Sequence, residues 1–84
     1  MERLQLIHTL LQQAFSPTRL DVLDDSAEHI GHAGSAGGAG HYTIKMAADC
    51  FKGKSRIDVH RAIYGVLGEL IPDQIHALRI VILI

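Results

Sequence analysis

His29 and His76 are the residues in this sequence whose side chains and setting best suit metal binding. His29 lies in a segment rich in glycine and alanine, and His76 directly precedes the final apolar run. Neutral imidazole is a common metal ligand. Cys50 is the single cysteine, so no CxxC motif accompanies the two histidines. Two imidazoles without a thiolate pair would form half of a metal site, and a partner would supply the other half.

Hydrophobic periodicity predicts the elements that must position these histidines. Apolar residues at helical spacing indicate a first helix over residues 2–15. Alternating apolar and polar residues indicate one strand over residues 19–22 and a second over residues 41–48. Residues 24–40 contain five of the eight glycines and few large apolar side chains. We therefore expect a long loop between the two strands.

A second helix is predicted to begin after Ser55, because Ser55 and Asp58 have the spacing of a capping box. Its apolar stripe consists of Val59, Ile63, Val66, Leu67 and Leu70. Residues 72–74 look like a single helical turn. The nearly continuous apolar run over residues 77–84 predicts a third strand that is covered on both faces or paired centrally in the sheet.

The element order α-β-β-α-(α)-β determines how the strands are expected to pair. The first two strands are consecutive and should be antiparallel. About 28 residues that include a helix separate the second and third strands, a length that suits a right-handed crossover between parallel strands. The long loop and the start of the third strand then lie at the same end of the sheet. The topology therefore predicts that His29 and His76 can approach each other.

Several segments of the sequence closely resemble the BolA family. The residues that carry this resemblance are Phe51–Ser55, His60, Arg61, Tyr64 and Ile75–Leu78. The segment Asp24–His29 is similar to the loop of those family members that have a histidine there, and the resemblance covers nearly the whole chain. Within the motif we expect Phe51, Gly53, Ser55 and His60 to have structural roles. The sequence departs from the family at Val59, where members usually have an arginine.

The resemblance implies an α+β domain with α-β-β-α-α-β order, similar to type II KH folds. Its three-stranded mixed sheet would have the helices packed on one face. The resemblance also implies a heterodimer with a monothiol glutaredoxin, bridged by a [2Fe–2S] cluster. The glutaredoxin would supply a cysteine and bound glutathione, and this chain would supply histidine. The isolated chain is not expected to hold the cluster.

By motif position, His76 is the first candidate ligand and His29 the second. His32 lies three residues further along the same loop and is a less favoured substitute for His29. Two thiolates and two imidazoles resemble the ligand set of Rieske centres, in which imidazole raises the reduction potential. Because a protonated imidazole cannot bind metal, ligation would also depend on pH.

A DNA-binding transcriptional regulator is the alternative, since BolA-like proteins have been linked to transcription and cell shape. It would use the second helix and a basic cluster formed by Lys52, Lys54, Arg56 and Arg61. Three features argue against it: the formal net charge of −1, the absence of a GxxG loop and the arginine lost at Val59. No nucleophile–base pair or carboxylate pair is evident, so we do not expect an enzyme.

Composition limits the remaining possibilities. The 84 residues are 48% hydrophobic and 20% charged, which is typical of one globular domain. No signal peptide is evident, and the apolar run Ile80–Ile84 is too short to span a membrane. A single cysteine fits a reducing compartment, so we expect a cytoplasmic protein without a membrane partner.

Among the other residues, Cys50 is expected to be packed, His41 structural or exposed, and His60 half-buried and hydrogen-bonded to the Phe51–Ser55 loop.

Overall fold

The structure, a computed structural model, describes residues 2–25, 40–71 and 73–83. Two helices and three strands follow one another as α1 (Arg3–Phe15), β1 (Arg19–Asp24), β2 (Gly40–Ala47), α2 (Arg56–Leu67) and β3 (Ile75–Ile82). Short 3₁₀ helices, Asp49–Phe51 and Gly68–Leu70, flank α2. The predicted α+β fold with a three-stranded mixed sheet is thus confirmed.

The three strands form one sheet in the order β1-β2-β3. As predicted, β1 and β2 are antiparallel, and β2 and β3 are parallel. The prediction that the third strand is covered on both faces or paired centrally is wrong. Among the described strands β3 pairs only with β2, at the edge of the sheet, and Ala77 and Arg79 on its outer side are exposed. The apolar run suggested burial on both faces, but only one face of β3 is packed. Leu78, Ile80 and Ile82 pack against the core, whereas Arg79 between them is exposed.

Both helices pack on one face of the sheet. The register aligns Val22, Ile44 and Ile80 across the three strands, so these side chains point to the same face. Val22 and Ile44 belong to one buried cluster with Ile7 of α1 and Ile63 of α2. The opposite face of the sheet, called the outer face here, carries the alternate residues: Arg19, Asp21, Leu23, His41, Thr43, Lys45, Ala77, Arg79 and Val81.

Helix α2 begins where the capping pattern predicted. The backbone N–H of Asp58 donates to the Ser55 hydroxyl at 3.1 Å, which satisfies one of the otherwise unpaired amides of the first turn. The predicted stripe is buried at four of its five positions, and Val66 is half-buried. The short helical segment after α2 lies at Gly68–Leu70, earlier in the chain than predicted.

Neither helix in the described ranges has the length and apolar character needed to cross a membrane.

Candidate functional site

His76 lies beside His41 at one end of the sheet. The centroids of the two imidazole rings are 5.1 Å apart, and the ring planes are inclined by 54°. His76 is exposed and His41 is half-buried. His29 and His32 lie outside the described residues, so the predicted approach of His29 to His76 stays a prediction. The contact found within the described chain joins His76 to a different histidine.

A bulge at the start of β3 gives His76 its position. Gly40 is paired with Ile75 and His41 with Ala77, so His76 is an extra residue between two pairs of the ladder. Strict alternation back from Ile80 through Leu78 would direct residue 76 toward the core. Ile75 occupies the core instead, with 1% of its surface exposed. Because a bulge redirects a side chain, His76 is free to contact His41.

Gly40 fixes the start of β2 directly before His41. Its N–H donates to the carbonyl oxygen of Gln74 at 3.0 Å, which links the first residue of β2 to the segment that leads into β3. The ring of Tyr42 lies against Gly40 so closely that an added Cβ would be 2.5 Å from a ring carbon. A side chain at this position would force the buried Tyr42 ring to shift, so glycine suits the backbone next to His41.

Asp25 fastens the end of β1 to the same part of β2. Its N–H donates to the carbonyl oxygen of His41 at 2.7 Å, and its carboxylate accepts a hydrogen bond from the Thr43 hydroxyl. Thr43 is buried, with 5% of its surface exposed. His41 is therefore held by backbone contacts toward both neighbouring strands.

The spacing of the two rings suits metal binding. A metal–nitrogen bond of about 2.0–2.1 Å places each ring centroid about 3.2 Å from the ion, so two imidazoles on one ion have centroids about 5 Å apart. The observed 5.1 Å agrees with that value, and it also lies within the range of about 4.5–7 Å that packed rings have. No group of three or more His, Cys, Asp or Glu side chains suited to a metal occurs among the described residues. Donors in addition to these two histidines would have to complete a four-coordinate site.

The basic cluster lies at the other end of β2. Lys52, Lys54, Arg56 and Arg61 are all exposed. The Lys52 ammonium is 3.5 Å from the Asp49 carboxylate, and both groups are largely exposed, so this ion pair contributes little. Three of the four cations line a cavity of about 540 Å³. Ala47 lines this cavity and is six residues beyond His41 in β2, so the cavity and the histidine pair are about 20 Å apart along the strand.

The sequence is similar to those of known proteins. A family model described as BolA-like protein matches residues 11–83. The chain belongs to the BolA family. It is 38% identical to SufE-like protein 1, chloroplastic/mitochondrial, of Arabidopsis thaliana, in a match that covers 89% of this chain and 22% of that protein. It is 35% identical to the DNA-binding transcriptional regulator BolA of Escherichia coli, over 88% of this chain and 68% of that protein.

The BolA-like fold is also found in solved structures. The BolA domain of SufE1 from Arabidopsis thaliana superposes with a TM-score of 0.84 at 33% identity, and the match covers 98% of this chain and 91% of that domain. The chain thus corresponds to about a fifth of the full SufE-like relative but to nearly all of its BolA domain.

Three residues of the BolA-like motif have structural explanations. Phe51 is buried and packs on Phe15 of α1, with ring centroids 5.2 Å apart. Gly53 has φ 79°, a left-handed conformation that favours glycine. Ser55 caps α2. Together they turn the chain from β2 into α2.

Two predictions for other residues need correction. Cys50 is exposed rather than packed, with Sγ 3.6 Å from the Phe15 carbonyl oxygen, because the 3₁₀ helix turns the neighbouring Phe51 inward instead. His60 is half-buried as predicted. The hydrogen bond expected from it to the Phe51–Ser55 loop is not found in the described part of the BolA-like chain.

Sequence reasoning identified His76 but did not connect it with His41. The necessary signal was present, because the first residues of two parallel strands lie at the same end of a sheet. His41 opens the second predicted strand and His76 precedes the third. The pairing was missed because the expected contact came from the glycine-rich loop rather than from the strand.

Proposed function

We propose that this BolA-like chain is a non-enzymatic partner of a monothiol glutaredoxin and contributes imidazole to a shared [2Fe–2S] cluster. The glutaredoxin supplies a cysteine thiolate and a glutathione thiolate. The observation that carries the proposal is the exposed His76 ring 5.1 Å from the His41 ring at the end of the sheet. A bound cluster would supply redox chemistry, at a potential raised by imidazole ligation.

His76 is the first ligand in this proposal. Its ring is exposed to a partner, while Ile75 and Ala77 hold its backbone in the β3 ladder. The second imidazole comes from His29, as the family resemblance implies, with His32 as its less favoured substitute. His41 is the competing candidate, because its ring already lies at a distance from His76 that suits two ligands of one ion.

Reconstitution with a monothiol glutaredoxin, iron, sulfide and glutathione tests the proposal. The wild-type pair should form a heterodimer with visible absorption and circular dichroism from the cluster. His76→Ala should abolish or strongly change that spectrum. His29→Ala should perturb it less, and the same substitution at His41 shows whether His41 matters to the cluster at all. His8→Ala is the matched control, since His8 is exposed on α1.

Two results would contradict this function. One is a wild-type chain that forms no coloured heterodimer with the reconstituted glutaredoxin. The other is a spectrum that stays unchanged in His76→Ala while the heterodimer forms normally. A spectrum altered equally by His8→Ala would show that loss of any histidine perturbs the complex, and this would refute a specific ligand role for His76.

We propose that the chain has no enzymatic activity and is located in the cytoplasm. The names of the two relatives above describe a BolA regulator and a SufE-like protein with a BolA domain, and neither names an enzyme. One of them is chloroplastic/mitochondrial, so family membership alone does not choose a compartment. A fluorescent protein fused to the C-terminus, which lies away from His76 because β3 runs away from it, should give a signal throughout the cytoplasm.

DNA binding is the second candidate function, favoured by the name of the Escherichia coli relative. The basic cluster is exposed, and three of its members surround one cavity. If it contacts phosphate, affinity for duplex DNA should fall steeply with salt, and the triple variant Lys52→Gln, Lys54→Gln, Arg56→Gln should flatten that dependence. Salt-independent binding, or equal binding by the triple variant, would eliminate this candidate.

A further inference from the structure

The outer face of the sheet next to the histidine pair carries two cations that form no ion pair with a carboxylate of the described chain. Lys45 of β2 and Arg79 of β3 both point to this face. The register pairs Thr43 with Arg79 and Lys45 with Val81, so the two cations are diagonal neighbours on adjacent strands. Lys45 is half-buried and Arg79 is exposed. Neither forms an ion pair with another described residue, unlike Arg19, which pairs with Asp21, and Lys52, which pairs with Asp49.

The carboxylates of the outer face are already engaged. Asp21 lies opposite Lys45 in the register, but its carboxylate accepts a hydrogen bond from Arg19 Nε at 3.1 Å. The Asp25 carboxylate accepts the hydrogen bond from Thr43. Lys45 and Arg79 line a groove of about 370 Å³, and His41 lines it too. Leu23 lines the same groove, and 44% of its surface is exposed.

The groove is close enough to His76 to be covered by any protein that completes its metal site. A standard interface buries about 800 Å² on each partner, which corresponds to a disc of about 16 Å radius. Arg79 is three residues beyond His76 and Lys45 four residues beyond His41, distances of about 10 and 13 Å along the strands. Both cations therefore lie within the area that such a partner would bury.

We propose that the outer face is the docking surface for the partner that supplies the thiolates, and that Lys45 and Arg79 pair with carboxylate side chains on it. This inference rests on the proposed function and adds the chemistry of the partner's contact surface. Burying two unpaired cations would be costly, so a partner seated here must present negative charge to them. The exposed Leu23, which lies on β1 opposite Thr43, adds an apolar contact beside the two cations.

Binding of the cluster-free glutaredoxin to the full chain tests the inference without requiring the cluster. Affinity is measured by calorimetry at low and high salt. The double variant Lys45→Glu, Arg79→Glu should bind at least tenfold more weakly, and salt should no longer weaken its binding, because attraction to the partner's carboxylates is replaced by a repulsion that salt screens. The matched control Lys52→Glu, Lys54→Glu makes the same charge change at the other end of β2 and should alter affinity less than twofold.

Lys45 is half-buried, so a neutral pair of substitutions, Lys45→Gln and Arg79→Gln, is measured as well. It should fold as the wild type does by circular dichroism and should bind at least threefold more weakly. Wild-type affinity in both double variants would overturn the inference while leaving the proposed function intact. Loss of DNA affinity rather than glutaredoxin affinity in these variants would overturn it in favour of a phosphate-binding surface. No glutaredoxin binding by the wild type would overturn both the inference and the proposed function.

Discussion

The imidazole ring of His76 packs beside that of His41, with centroids 5.1 Å apart and planes inclined by 54°. The two residues are 35 positions apart in the chain and belong to parallel neighbouring strands. The contact depends on the bulge at His76, because regular alternation would have directed that side chain to the opposite face. In the proposed cluster complex, this contact suggests two roles for His41: a second ligand, or a support for the ring of His76.

Substitution of His41 by phenylalanine separates these two roles. Phenylalanine keeps a ring beside His76 but has no metal-binding nitrogen, whereas alanine removes both. If His41 only supports His76, the cluster spectrum of the glutaredoxin complex should survive in His41→Phe and be weakened in His41→Ala. If His41 is a ligand, both variants should lose the wild-type spectrum. An unaltered spectrum in both would show that the ring contact is not needed for the site.

Substitution of Gly40 by alanine should destabilise the protein. The added methyl group would meet the ring of Tyr42 at 2.5 Å, and such overpacking costs about 1–3 kcal/mol. Gly65→Ala is the matched control, since nothing lies within 4 Å of its Cβ position in α2. That change should stabilise the helix by about 0.5–1 kcal/mol. Urea unfolding of the two variants measures both effects, and equal midpoints would contradict the close approach described at Gly40.

Removal of the Asp25 carboxylate should leave the buried Thr43 hydroxyl without its acceptor. Asp25→Ala is therefore expected to lower the free energy of unfolding by about 1–3 kcal/mol. Adding Thr43→Val should recover part of this loss, because valine has no hydroxyl to leave unsatisfied. A double-mutant cycle in urea measures the coupling. Additive effects of the two substitutions would show that the hydrogen bond contributes nothing to stability.

Loss of the Ser55 hydroxyl should destabilise the start of α2. It accepts the N–H of Asp58 at 3.1 Å, and replacing such a cap by alanine costs about 1 kcal/mol. Ser55→Asp retains an acceptor at this position and should unfold close to the wild-type midpoint. Thermal unfolding followed by circular dichroism compares the three proteins. A Ser55→Ala variant as stable as the wild type would mean that water caps this helix equally well.

Local physical chemistry made much of the fold readable from the sequence. Helical spacing and the Ser55 cap determined where α2 begins and which side it buries. A crossover of that length predicted that β3 would run parallel to β2, as observed. The motif Phe51–Ser55 identified the family, and the match over residues 11–83 supports that identification.

Only the tertiary structure determined what lies next to His76. An apolar run such as residues 77–84 does not reveal whether a strand is central or at an edge. That depends on which other segments cover its faces and pair with its edges. A bulge changes which face of the sheet a side chain points to. It arises from the hydrogen-bond register between two strands, and a local sequence pattern does not encode that register. The sequence therefore determined that His76 would be at this end of the sheet, and the register determined that His41 would be its neighbour.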